Sequence, residues 1–85
     1  MVMPRIQVIV SEVNRGSATA LASVPAVNAR FSLKREMNGG QPKWRVLPGG
    51  RTVVTADNKA TLHVAPNVWG QIVQAAEEAY AEAGV

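Results

Sequence analysis

The stretch Asn28-Ala29-Arg30-Phe31-Ser32-Leu33-Lys34-Arg35-Glu36-Met37-Asn38-Gly39-Gly40-Gln41-Pro42-Lys43-Trp44-Arg45-Val46-Leu47 decides the fold. Its side chains alternate. Ala29, Phe31, Leu33 and Met37 fall on one parity and Arg30, Ser32, Lys34 and Glu36 on the other, the two-residue period of a half-buried strand. The alternation breaks at Asn38-Gly39-Gly40-Gln41-Pro42, because Asn and Gly accept positive φ at little cost. It resumes with Trp44 and Val46 against Lys43 and Arg45. The stretch reads as a β-hairpin with one apolar face and one basic face.

Upstream, Arg5 to Val13 is rich in β-branched residues, with Ile6, Val8 and Val10 on one face and Ile9 and Val13 on the other parity. Asn14-Arg15-Gly16-Ser17 has turn chemistry, and Ala18 to Val24 is a short strand whose small residues allow close packing over it. Pro25 ends that strand or marks an edge. Downstream, Pro48-Gly49-Gly50 breaks the hairpin's second strand. Thr52 to Ala56 and Ala60 to Ala65 then form two strand-like pieces around the turn Asp57-Asn58-Lys59.

After Pro66 the period changes from two to 3.6. Val68 or Trp69, Ile72, Val73, Ala76, Ala79, Tyr80 and Ala83 make one apolar stripe, with Gln71, Gln74, Glu78 and Glu82 opposite. Asn67 has N-cap chemistry and Gly84 is a helix stop. The expected fold is therefore α+β: a single domain over residues 1–85, with an antiparallel β-sheet of about five strands in 5–65 and one C-terminal α-helix over 68–83 packed on it.

An 85-residue chain has room for one modest core. It contains no cysteine, so neither disulfides nor thiolate metal sites can staple it, which suits a cytoplasmic location. The N-terminus runs directly into alternating residues. No signal peptide or membrane-spanning helix is expected from it. The net charge is +3, but all nine Lys and Arg lie between Arg5 and Lys59, against the acids Glu12, Glu36 and Asp57. Residues 66–85 carry Glu77, Glu78 and Glu82 and no base, so a basic sheet faces an acidic helix.

The side chains that catalysis requires are sparse. The single histidine, His63, sits between Leu62 and Val64 in a strand-like piece and has no cysteine or clustered carboxylate to complete a metal site. No serine stands in a nucleophile-elbow setting. Gly49-Gly50-Arg51-Thr52 lacks the Gly-Lys-Ser/Thr ending and the following helix of a phosphate loop. The sequence reads as a binding protein without a cofactor or metal, not as an enzyme.

Three stretches, in order, carry a family resemblance. Ala18 to Leu33 resembles a hairpin of the family. Val46-Leu47-Pro48-Gly49-Gly50-Arg51-Thr52 is similar to its Met-Pro-Ser-Lys-Arg-Thr segment. Leu62-His63-Val64-Ala65-Pro66-Asn67, followed by Ile72-Val73-Gln74-Ala75-Ala76 and Tyr80-Ala81-Glu82, resembles a strand-to-helix passage through a His-Pro step. The family is that of the stage V sporulation protein G (SpoVG), the septation regulators of bacteria. The resemblance runs from about Ile6 to Glu82. It implies a homodimeric, helix-backed antiparallel sheet that binds DNA and RNA as a regulator. Arg51 matches the arginine of the family's basic pair, while Gly50 stands where the family has lysine, and Val53-Val54-Thr55-Ala56 replaces a short Pro-Asp-Gly turn.

From the residues alone, a helix covering Phe31, Leu33, Trp44 and Val46 leaves Arg30, Lys34, Lys43 and Arg45 together on the opposite face, with Arg51 at its rim. Such a row can neutralise several phosphates. Phe31 and Trp44 lie on the core parity, so base stacking of the RNA-recognition type is not expected and binding rests on phosphates. Trp44 reads as a core anchor. Trp69, beside Gly70 at the helix start, reads either as a second core anchor or as an exposed anchor for a partner or second subunit. The competing function class is an accessory or phage-type protein that inhibits or redirects a host complex by offering the same basic face to an acidic protein surface.

Overall fold

The hairpin forms as its sequence dictates. The computed structural model describes residues 6–47, 52–55 and 57–84. In it β3 (Ala29–Asn38) and β4 (Gln41–Val46) pair antiparallel, with Leu33 opposite Val46, Lys34 opposite Arg45, Glu36 opposite Lys43 and Asn38 opposite Gln41. Gly39 and Gly40 close the loop at φ 62° and 82°. Two central residues of positive φ define the tight turn whose twist matches that of the flanking strands.

The pairing extends to β1 (Ile9–Asn14) and β2 (Thr19–Val24), giving a four-stranded antiparallel sheet in the order β1-β2-β3-β4. A single 3₁₀ turn, Pro25–Val27, links β2 to β3. A second, two-stranded sheet pairs β5 (Thr52–Val54) with β6 (Thr61–His63). Thr55 bridges Ala29, so β5 runs beside the start of β3 where β4 has ended. The β5–β6 turn is held by Asp57. Its Oδ1 accepts from the Thr55 hydroxyl (2.6 Å) and the Lys59 amide (3.1 Å). These donors, the Thr55 hydroxyl first, hold the Asp57 carboxyl below its ordinary range.

The strand at the N-terminus is shorter than its sequence implies. It starts at Ile9, not Arg5, although Ile6 and Val8 still pack against the core. The expectation that Val13 lies on the face opposite Val10 fails because the β1–β2 register shifts between Ser11 and Asn14. Glu12, at φ 50°, forms the bulge. One extra residue restores Val13 to the core side, and Val10 and Val13 both pack there.

The helix α1 (Pro66–Ala83) starts two residues earlier than expected. Asn67 is not its cap. Ala65 takes that position with extended backbone, and Pro66 occupies the first turn, where its missing N–H costs nothing. Trp69 N donates to Ala65 O at 2.8 Å as the first helical bond. The helix lies over β1 and β2, where Ala20 and Ala22 present almost no bulk and are themselves buried. Ile72 and Ala76 are the helix residues that reach the centre, meeting the core of Val24, Phe31, Leu33, Trp44, Val46 and Val53. Complete burial of Ile72 alone contributes about 2–3 kcal/mol. Met37, expected on the core face, is 62% exposed because it lies at the turn end of the hairpin, beyond the buried part of the sheet.

Both ends of the helix are tied to the segments that flank β1. Gln71, expected on the solvent side, is half-buried, and its Oε1 accepts from Ile6 N at 2.8 Å. At the other end Arg15 Nη1 donates to Tyr80 O at 2.6 Å, supplying a cation and a donor where helical carbonyls lack partners. The Arg15 and Arg35 guanidinium carbons lie 4.3 and 4.6 Å from the Tyr80 ring centroid.

Candidate nucleic-acid interface

The helix occupies one side of the four-stranded sheet, so the strand period alone fixes what the other side offers. Register arranges that outer face in rows. Ile9, Ser23 and Arg30 align across β1, β2 and β3. Ser11, Leu21 and Ser32 form the next row, which Leu47 joins by donating its amide to Ser32 O at 3.0 Å. Thr19, Lys34 and Arg45 form the third, and Glu36 with Lys43 the fourth.

Arg30, Lys34, Lys43 and Arg45 therefore share one face, as their parity requires. They are not one unbroken cluster. Lys34 and Arg45 are direct cross-strand neighbours and Lys43 is one row further on. Arg30 lies roughly 13 Å from Lys34 along β3, four residues at 3.3 Å each. The Leu21–Ser32–Leu47 row separates them. Arg51, the fifth basic residue of the sequence reading, lies outside the described residues.

Two of the four bases are already oriented. Arg45 Nε meets Glu36 Oε1 at 2.6 Å, with both side chains substantially exposed (39% and 49%), so water screens the pair and it contributes about 1 kcal/mol or less. Lys34 Nζ donates to the Ser17 carbonyl. Among the described residues no hydrogen bond or salt bridge engages the side chains of Arg30 and Lys43, which are exposed. None of the four aromatic side chains stands exposed on this face: Phe31 and Trp44 are buried, Phe31 also bordering the groove beside the middle row, and Trp69 and Tyr80 pack partly buried against the core. Trp44 is the core anchor its position implies. Trp69 is half-buried rather than fully presented to solvent.

The sequence reading passed over Arg35, which is on the core parity and would be a buried charge without a partner. Its partner is Glu77 on the helix. Glu77 Oε1 accepts from Arg35 Nε at 2.8 Å and from Trp44 Nε1 at 2.7 Å. The Arg35 hydrogen bond, more than the Trp44 bond, holds the Glu77 carboxyl below its ordinary range against a smaller opposing effect of burial. The same bond raises Arg35 further above neutrality. A lone arginine on an apolar parity, with one acidic residue bordering the helix stripe, was the available signal. This group clamps the helix to the hairpin and leaves the outer face untouched.

A second feature escaped the sequence altogether. Beside the middle row, β5 rises next to the sheet and makes an open groove of about 640 Å³ whose walls include Leu21, Leu47 and Val54. A smaller hollow, about 250 Å³, opens on the helix side and is lined almost wholly by aliphatic residues, with exposed His63 at its rim.

Among the described residues no helix is long and apolar enough to cross a membrane, and no three His, Cys, Asp or Glu residues group as a metal site. No family model, curated protein or solved structure matches the chain.

Proposed function

We propose that this protein is a small nucleic-acid-binding regulator that holds the phosphate backbone of DNA or RNA on the outer face of its four-stranded sheet. The observation that carries this reading is the shared, uncovered face of Arg30, Lys34, Lys43 and Arg45, with hydroxyls of Thr19, Ser23 and Ser32 interleaved among them. Arginine forks and lysine ammonium groups hold phosphates by charge-assisted bonds, and hydroxyls add neutral ones. The resemblance to the SpoVG septation regulators supports the same reading, independently of the geometry. Glu78 and Glu82 lie exposed on the helix at the opposite side, so the field across the molecule orients an approaching polyanion toward the sheet.

The working form in this proposal is a homodimer. β1 and β4 are the outer strands of the sheet. β4 carries Pro42, Lys43 and Arg45, so pairing with its own copy would oppose like charges. The run Ile6-Gln7-Val8-Ile9-Val10-Ser11 leading through β1 has no charge, and Ile9 is 47% exposed. Pairing through β1 would extend the outer face of one copy into that of the other.

The test is binding to labelled single- and double-stranded DNA and RNA across a salt series. Binding that weakens steeply with salt, with the slope reduced by roughly one unit for each of Arg45→Ala and Lys43→Ala, is the expected result. No binding to any of these at low salt would reject the reading and redirect the basic face to an acidic protein surface.

A further inference from the structure

The groove beside the middle row is unlike the rest of the outer face, because it combines apolar walls, one cation and several polar groups in a concavity large enough for a nucleotide. Leu21 and Leu47 come from the sheet, and Val54, 45% exposed, faces them from β5. Arg30 and Ser32 line it from β3, the strand between Leu21 and Leu47. Asn58, in the left-handed conformation at the β5–β6 turn, closes one end. Glu12 reaches the same groove from β1.

The position of Glu12 is a consequence of the bulge. An ordinary strand residue there would keep the two-residue alternation, whereas the extra residue sends Val13 to the core and Glu12 to the outer face. The backbone does this at φ 50°, where Gly or Asn would fit at lower cost. A carboxylate held in a strained bulge in the same groove as Arg30 weakens phosphate binding there, so phosphate contact does not account for it. It is, however, an acceptor without a proton, the complement of an exocyclic amino group.

We infer that this groove receives one unpaired nucleobase bearing an amino group. Its faces lie between Leu21, Leu47 and Val54, its amino group donates to Glu12, and its phosphate lies on Arg30. The inference rests on the nucleic-acid reading and narrows it. The ligand is single-stranded, because a base held in a duplex cannot enter the groove, and cytosine is preferred to thymine, which offers no amino donor. The roughly 13 Å between Arg30 and Lys34 then spans the strand on either side of the inserted nucleotide.

The experiment compares oligo(dC), oligo(dT) and a mixed-sequence duplex, each of about 12 units, a length within known single-strand site sizes. Wild-type protein is expected to bind oligo(dC) roughly fivefold or more tighter than oligo(dT), and the duplex more weakly than oligo(dC). Glu12→Gln is expected to narrow the dC/dT ratio while raising affinity for both, since a repulsive charge is lost. Val54→Trp fills the groove from an exposed position. It is expected to lower oligo(dC) affinity about fivefold to tenfold with the salt slope unchanged, because no phosphate contact is removed. Circular dichroism of both variants checks that the fold is retained. Salt-dependent binding with equal affinity for oligo(dC) and oligo(dT), or a ratio that Glu12→Gln leaves unchanged, overturns the groove and leaves the phosphate-binding face standing. Absence of binding to all three overturns both.

Discussion

Glu77 accepts two hydrogen bonds through one oxygen, and its neighbours would be costly to leave without it. Removing the carboxylate in Glu77→Ala leaves the Trp44 N–H, on a side chain only 6% exposed, without an acceptor, and leaves Arg35 unpaired. The expected loss is about 1–2 kcal/mol in urea unfolding. Glu77→Gln keeps an acceptor for Trp44 and loses only the charge, so its cost is expected to stay below about 1 kcal/mol, given that the Glu77 side chain is 37% exposed. The pH dependence follows from the direction of the shift. A carboxyl depressed in the folded state stabilises the protein fully above its unfolded pKa of about 4.3 and loses that contribution as pH falls through the lower folded value. Urea midpoints are therefore expected to fall below about pH 4.3, and to fall less steeply in Glu77→Gln. Equal acid limbs would contradict this role. At the same scale, Arg45→Ala is expected to change stability by less than about 0.5 kcal/mol, since its pair with Glu36 is exposed. In the proposed function its effect is on nucleic-acid binding.

At the scale of elements, Ile72 joins helix to sheet. It is 1% exposed beneath the helix, and Ile72→Ala is expected to cost about 2–5 kcal/mol. A chain of this length has roughly 4–13 kcal/mol to lose, so the far-ultraviolet dichroism of the variant should show a much lower melting midpoint or no cooperative transition. A shift of only a degree or two would mean that the helix is not held by this residue. The elements themselves were largely legible, because each announced its period: the hairpin of β3 and β4, its Asn-Gly-Gly turn, the small-residue strand β2 and the helix after Pro66 all follow from local patterns. What local pattern hides is displacement by one residue. Ile6 to Val13 alternates convincingly on paper, yet the bulge at Glu12 reverses the parity of Val13, and nothing in a Ser-Glu-Val triplet distinguishes a bulged strand from a regular one. Asn67 is the better capping residue, but Pro66 fixes the first turn and moves the helix start ahead of it. The basic face was legible for the same reason as the hairpin, since register alone determines which side each base takes. The groove was not, because Val54 and Asn58 meet Leu21 and Leu47 only after β5 folds back beside β3.

At the scale of the molecule, an acidic helix lies on one side of the four-stranded sheet, and Arg30, Lys34, Lys43 and Arg45 stand on the other. Its outer strands differ: charges and Pro42 protect β4, whereas the lead-in to β1 is uncharged. Sedimentation equilibrium at micromolar concentration is expected to show a dimer. Ile9→Lys, which puts like charges together at that edge, is expected to shift it toward the monomer with little loss of folding. A wild-type monomer under these conditions would remove the dimer from the account while leaving the binding face intact. In the proposed function the exposed sheet face, not the helix, meets nucleic acid. The most direct test of this is titration of isotopically labelled protein with oligo(dC), followed amide by amide in nitrogen–proton correlation spectra. The expected result is saturable shifts at Arg30, Ser32, Lys34, Lys43 and Arg45, with the exposed helix positions Gln74, Glu78 and Glu82 unmoved. Shifts concentrated on the helix, or none at low salt, would contradict it.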